Sequence, residues 1–140
     1  MTEHVRKLVS RTSVVAGALA VVLSPVPLAD ELAFIPVFGV MASRIGKQHG
    51  LALGDVPWRP IARTTFAALA ARATLNLAVS YIPGVAAVAN AVSAVTVTHM
   101  LGRYVDGACA DPASAVPLGV REIAGRLRDA IARRNPSSAV

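Results

Sequence analysis

The segment Ala73–Gly102, ATLNLAVSYIPGVAAVANAVSAVTVTHMLG, decides the fold of this chain. It contains no Asp, Glu, Lys or Arg, and Pro83-Gly84 interrupts it near the middle. Because proline lacks a backbone donor and glycine adopts turn conformations readily, this pair predicts an elbow between two antiparallel apolar helices. After the elbow, small and short polar residues recur at every fourth position and predict a face for close helix packing: Ala86, Asn90, Ala94 and Thr98.

The rest of the chain is also unusually apolar. Hydrophobic residues make up 54 % of the 140 residues and charged residues only 16 %, whereas soluble domains average about 25 % charged residues. A second uncharged stretch, Thr12–Ala29, ends in a proline-rich turn. We therefore expect an all-α, compact bundle of four to five helices, associated with a membrane over residues 1–109. A soluble helical scaffold whose small-residue faces are ordinary core is the alternative.

Two segments bear on how the chain would meet a membrane. Gly84–Gly102 covers about 28 Å as a helix, close to the roughly 30 Å of a bilayer core, so it is a candidate transmembrane helix. Its polar residues make insertion marginal, which favours a packed hairpin or a partly inserted bundle. Residues 1–29 resemble either an export signal cleaved near Ala29 or a retained helix, Glu3–Leu23, stopped by Pro25 and Pro27.

Two further helices precede the elbow. Asp30 is expected to cap the second helix, Gly50 to end it, and Pro36 either to start it or to kink it. Apolar residues at helical spacing predict one core-facing stripe on this helix: Phe34, Phe38, Met41 and Ile45. The third helix is predicted at Ile61–Tyr81.

Positive charge is concentrated toward both ends of the chain, which has a formal net charge of +6. After a linker at 110–117, residues 118–134 form a basic amphipathic helix that either lies on lipid or docks on the bundle, and 135–140 are expected to be a disordered tail. The residues expected to contact anionic lipid are Arg6, Lys7, Arg11, Arg126, Arg133 and Arg134. Nucleic-acid binding is disfavoured, because neither a concentrated basic face nor a set of stacking aromatics is visible.

Catalytic motifs are missing from the sequence. Lys47 follows Gly46 but is succeeded by Gln48, so there is no P-loop. The three histidines are widely separated and lack a second ligand at metal-binding spacing. Cys109 is alone and is expected to be a small apolar filler. We expect no enzymatic activity, cofactor or metal.

Several short motifs, in order and at sensible spacings over residues 12–107, resemble the YcjF-like family of bacterial domains of unknown function. They are Pro25-Val26-Pro27, Ala29-Asp30, Met41 through Arg44-Ile45 to Gly50, Ile82-Pro83-Gly84-Val85, Asn90-Ala91-Val92, Thr98 and Gly102-Arg103. The resemblance implies a GTPase-associated, all-helical module at the bacterial inner membrane and a retained N-terminal segment, and no catalytic residue is carried over from the family. A GTPase partner supplied in trans is expected on this ground alone, and cytoplasmic and exported locations are the alternatives.

Overall fold

The computed structural model describes residues 1–22, 29–79, 81–82 and 85–134. Over these residues the chain forms five α-helices and a single 3₁₀ turn at Pro112–Ser114, packed as a bundle. The helices are α1 Glu3–Val22, α2 Ala29–Gln48, α3 Trp58–Val79, α4 Val85–Ala110 and α5 Val120–Arg134. The predicted all-α bundle is confirmed. The predicted elbow residues Pro83 and Gly84, the turn at Pro25 and Pro27, and the tail 135–140 lie outside the described residues.

The core-facing stripe of α2 is confirmed. Phe34, Phe38, Met41 and Ile45 are all buried. The rings of Phe34 and Phe38 stack with centroids 5.6 Å apart. A helix that buries every third or fourth residue is held mainly by this packing, so the sequence spacing was sufficient to identify the inner face of α2.

The ends of α2 follow their local signals only in part. Gly50 has a φ of 74° just after the helix, a conformation that glycine adopts without strain. At the other end the helix begins at Ala29 and continues through Pro36. A start at Pro36 and a cap at Asp30 are therefore wrong. The turn before Pro36 is stabilised by burial of Phe34 and by the ion pair of Glu31, which offset the backbone donor lost at proline.

Helix α4 packs on α3 as predicted, but its most extensive contact is with α1. Gly102 explains this preference. A Cβ at position 102 would lie 2.4 Å from a Val9 methyl group, so only glycine lets the two helices approach this closely without a shift. The central pair of the bundle is consequently α1 with α4, which are far apart in sequence.

Helix α4 also continues past its predicted end at Gly102 as far as Ala110, through Arg103 and Asp106. Across the described residues, no helix combines the length and apolar character needed to cross a membrane. The candidate transmembrane helix is therefore not supported.

Helix α5 docks on the bundle, against α3 and α4. Ile123 and Leu127 are buried in this contact, while Val120 stays 45 % exposed. The backbone N–H of Leu118 donates to Thr64 Oγ1 at 3.1 Å and fixes the approach to the helix. The sequence allowed α5 either to lie on lipid or to dock on the bundle, and in the structure it is docked.

Candidate functional site: an apolar end and a basic groove

A buried polar cluster lies where α1 ends, α2 begins, α3 ends and α4 begins. Its centre is Arg72 of α3, which is fully buried. Arg72 Nη1 donates to Glu31 Oε1 of α2 at 2.9 Å, and Nη2 donates to Asn90 Oδ1 of α4. The guanidinium also lies 4.5 Å from the ring centroid of Phe34. A charge so far from water needs these partners, because desolvation without them is costly.

Asn90 extends the cluster to the fourth helix. Its Nδ2 donates to the carbonyl oxygen of Ala20 in α1 at 2.8 Å, and Asn76 Nδ2 donates to Asn90 Oδ1 at 2.9 Å. Asn90, a member of the predicted packing face, is therefore buried in a hydrogen-bond network that reaches beyond a contact between two helices. We interpret the cluster as a structural node that joins α1, α2, α3 and α4 at one end.

The remaining residues of the expected packing face lie along α4 in different environments. Ala94 and Thr98 are buried, and Thr98 Oγ1 donates to the Ala94 carbonyl at 2.8 Å. Ala86 is half-buried. The predicted packing surface of α4 is therefore turned toward the core of the bundle from Asn90 to Thr98.

Around the polar cluster, the outer surface of the same bundle end is apolar. Its exposed large side chains are Val21, Val22, Leu32, Ile35, Leu77, Tyr81, Ile82 and Val88. Isolated exposed apolar residues are ordinary, whereas a group gathered from four helix ends is a candidate interaction surface. We call this set the apolar end. Arg72 and Glu31 are turned inward, whereas the exposed Arg121 and Arg128 of α5 line a pocket with Thr74 and Ala78 of α3 beside this surface.

Basic residues lie at the opposite end of α1 and α2. Both helices contribute to a groove of about 800 Å³ whose rim holds His4, Lys7, Arg11, Arg44 and Lys47. Arg44 and Lys47 were not among the expected lipid contacts. A second stripe at helical spacing, with Val37 and Val40 followed by Arg44 and Lys47, is the sequence signal that points to them.

The structure divides the expected lipid-contact residues into two separate sets. Arg6, Lys7 and Arg11 are exposed on α1, whereas α5 packs on α3 and α4 without contacting α1 over the described residues. On α5, Arg126 Nη2 lies 2.6 Å from Glu122 Oε1. Arg133 Nε donates to the Asp129 carbonyl, and the side chain of Arg134 lies outside the described part. Only the α1 set is continuous with the groove.

A second polar contact occupies the end with the basic residues. His49 Nε2, just after α2, lies 2.9 Å from Asp106 Oδ1 of α4, and the amino group of Met1 lies 3.4 Å from Asp106 Oδ2. Cys109 is buried nearby, and burial together with the Asp106 carboxylate raises the pKa of its thiol. Throughout residues 1–22, 29–79, 81–82 and 85–134, no group of three or more His, Cys, Asp or Glu side chains could hold a metal ion.

No protein-family model, curated protein or solved structure matches this chain. The resemblance to YcjF-like domains therefore stays a prediction from short motifs, and so does the GTPase partner that it implies.

Proposed function

We propose that this chain is a non-enzymatic, membrane-associated helical module that seats its apolar end in one leaflet of an anionic bilayer. The observation that supports the proposal is the separation of exposed apolar and basic groups along α1 and α2. Apolar residues occupy the end at Val22 and Leu32, and basic residues occupy the end at Lys7 and Lys47. In the bacterial cell, the inner membrane is the surface proposed.

The dimensions of α1 suit this arrangement. Arg11 and Val22 are eleven positions apart, a distance of about 16 Å along the helix axis. One leaflet accounts for roughly half of the 30 Å hydrocarbon core. With Val22 near the middle of the bilayer, Arg11 would therefore lie at headgroup level, where each basic residue contributes about 1 kcal/mol of attraction to anionic lipid.

The buried polar cluster lowers the free-energy cost of placing the apolar end in a bilayer. A charged side chain facing hydrocarbon is strongly unfavourable. Because Arg72 and Glu31 face each other inside the bundle, both charges are turned away from the exposed valine, leucine, isoleucine and tyrosine side chains of the apolar end. Each such side chain that leaves water contributes about 1.5–3 kcal/mol when fully buried.

A flotation experiment with a matched control tests the proposal. Leu32 is 69 % exposed at the apolar end, and Leu53 is 60 % exposed in the connection between α2 and α3 at the opposite end. We expect the unmodified chain to float with vesicles of phosphatidylglycerol and phosphatidylcholine. Leu32→Asp should lose flotation, while Leu53→Asp should retain it, because only the first adds a charge to the seated surface.

Two results would contradict the proposal. One is an unmodified chain that stays with the protein fraction at the bottom of the gradient, which would favour the soluble scaffold. The other is equal flotation of Leu32→Asp and Leu53→Asp, which would show that the apolar end does not enter the bilayer. Circular dichroism of both variants verifies that each has folded.

The GTPase partner in trans is a subordinate proposal that rests on the motif resemblance alone. A pull-down with the membrane-bound chain, performed with GTP and without it, tests this partner. Recovery of no nucleotide-binding protein under either condition would count against it.

A further inference from the structure

The groove between α1 and α2 is lined by apolar side chains as well as by basic ones. The apolar ones are Leu8, Val15, Pro36, Val37, Val40 and Met41, of which Met41 is buried and Val15 and Val40 are about half exposed. The volume of about 800 Å³ falls within the roughly 300–1,000 Å³ typical of small-molecule sites. No acidic side chain is among the described residues that line it. The groove therefore presents positive charge together with an apolar surface. These two features complement an anionic amphiphile, which has a negatively charged group and an apolar chain.

The basic groups that line the groove are largely available to a ligand. Lys7 has a partner in Glu3, at 2.8 Å, on the exposed surface. Over the described residues, Arg11, Arg44 and Lys47 form no ion pair with an acidic side chain. Arginine offers two parallel donors to a phosphate, so Arg11 and Arg44 on facing helices suit a phosphate held between them.

Polarity changes along the groove rather than across it. Ala20 of α1 and Glu31 of α2 meet in the polar cluster, so the two helices run in opposite directions from that end. His4 and Lys47 therefore lie where the groove is basic. Val15 and Val37 lie where it is apolar, on the side nearer to the apolar end of the bundle. The axial distance from His4 to Val15 is about 16 Å, comparable with the length of one leaflet.

We infer that this groove binds one anionic phospholipid molecule, with its phosphate between Arg11 and Arg44 and an acyl chain directed past Val15 toward the apolar end. The inference deepens the proposed function and rests on it for the source of the lipid. An acidic amphipathic helix fits less well, because its charged and apolar faces lie on opposite sides of a cylinder about 10–12 Å wide. The groove instead separates charge from apolar surface along its length.

The experiment uses a soluble lipid below its micelle concentration, so that no bilayer is needed. Myristoyl lysophosphatidylglycerol is titrated calorimetrically into the full chain, with myristoyl lysophosphatidylcholine and inorganic phosphate as comparison ligands. We expect binding of the anionic lysolipid, and at least tenfold weaker binding of the other two. Lysophosphatidylcholine lacks the net charge, and inorganic phosphate lacks the chain.

Paired variants locate the site. Arg11→Gln with Arg44→Gln should weaken lysolipid binding at least tenfold, about 1.4 kcal/mol. Arg59→Gln with Arg63→Gln removes the same charge from exposed positions on α3 and should change the affinity less than twofold. Thr12→Trp keeps every charge but fills the groove, and should abolish binding. Thermal unfolding of each variant verifies its fold.

Several outcomes would overturn the inference: equal affinity for inorganic phosphate, unchanged affinity in the Arg11 and Arg44 double variant, or binding of an acidic amphipathic peptide in place of the lysolipid. The result also separates the two proposals. Vesicle flotation without lysolipid binding would overturn the groove assignment and leave the membrane-seating function supported. Lysolipid binding without flotation would support the groove and contradict membrane seating.

Discussion

The guanidinium of Arg72 offers the sharpest test of how the bundle is held together. In the substitution Arg72→Met, most of the apolar stem is kept and the charge is removed. Three contacts are lost at once: the ion pair with Glu31, the donation to Asn90 and the contact with the ring of Phe34. We expect this change to cost far more than the loss of one surface charge.

The magnitude follows from burial. Arg72 is fully buried, and the Glu31 side chain is 12 % exposed. Removing one partner of a buried pair costs about 3–5 kcal/mol, since the Glu31 carboxylate then loses its ion pair with Arg72. The free energy of unfolding of a whole domain is about 5–15 kcal/mol, so Arg72→Met should leave the chain marginally folded. Arg72→Met combined with Glu31→Gln should recover about 1 kcal/mol or more, because the carboxylate charge that lost its ion pair is then removed as well.

Urea unfolding followed by circular dichroism measures these differences. Trp58 fluorescence reports separately on the opposite end of the bundle, where Trp58 Nε1 donates to the Leu53 carbonyl at 2.8 Å. A loss below about 1 kcal/mol for Arg72→Met, as at exposed ion pairs, would refute the reasoning and show that the cluster is solvated. A double variant no more stable than Arg72→Met would show that loss of the Glu31 ion pair is not what destabilises the single variant.

Two further predictions concern close packing. Gly102→Ala should destabilise the chain by about 1–3 kcal/mol, because its Cβ would lie 2.4 Å from a Val9 methyl group. Gly107→Ala is the control, because a Cβ at position 107 would meet no atom within 4 Å. In chemical denaturation it should stabilise the chain by up to about 1 kcal/mol. Equal effects of the two substitutions would contradict the close contact between α1 and α4. Cys109 should react slowly with iodoacetamide at neutral pH and quickly once urea unfolds the chain, because burial and the raised thiol pKa both protect it. Rapid alkylation of the folded chain would contradict its buried position.

Local signals account for most of the helices. The apolar spacing from Phe34 to Ile45 identifies the inner face of α2, and Gly50 marks its end, since both depend on residues that are neighbours along the chain. The start of α2 could not be obtained in this way. Its first turn depends on Glu31 meeting Arg72, a residue on another helix.

The candidate site depends still more on tertiary structure. The sequence places Arg11 in a basic N-terminal segment and Arg44 near a helix end, but only the antiparallel packing of α1 and α2 brings both to one groove. The burial of Arg72 was equally hidden, because an arginine in an alanine-rich helix has no local signature for facing inward. Gly102 carried no sign that α1, rather than α3, would be its closest neighbour.

The pairing of α1 with α4 has a consequence for synthesis on the ribosome. Val9 and Gly102 are 93 positions apart; at about 5–20 residues per second, translation between them takes on the order of 5–20 s. Throughout that interval the nascent α1 has emerged without its principal neighbour. The central contact of the bundle can therefore form only late in translation, after most of the polypeptide has been made.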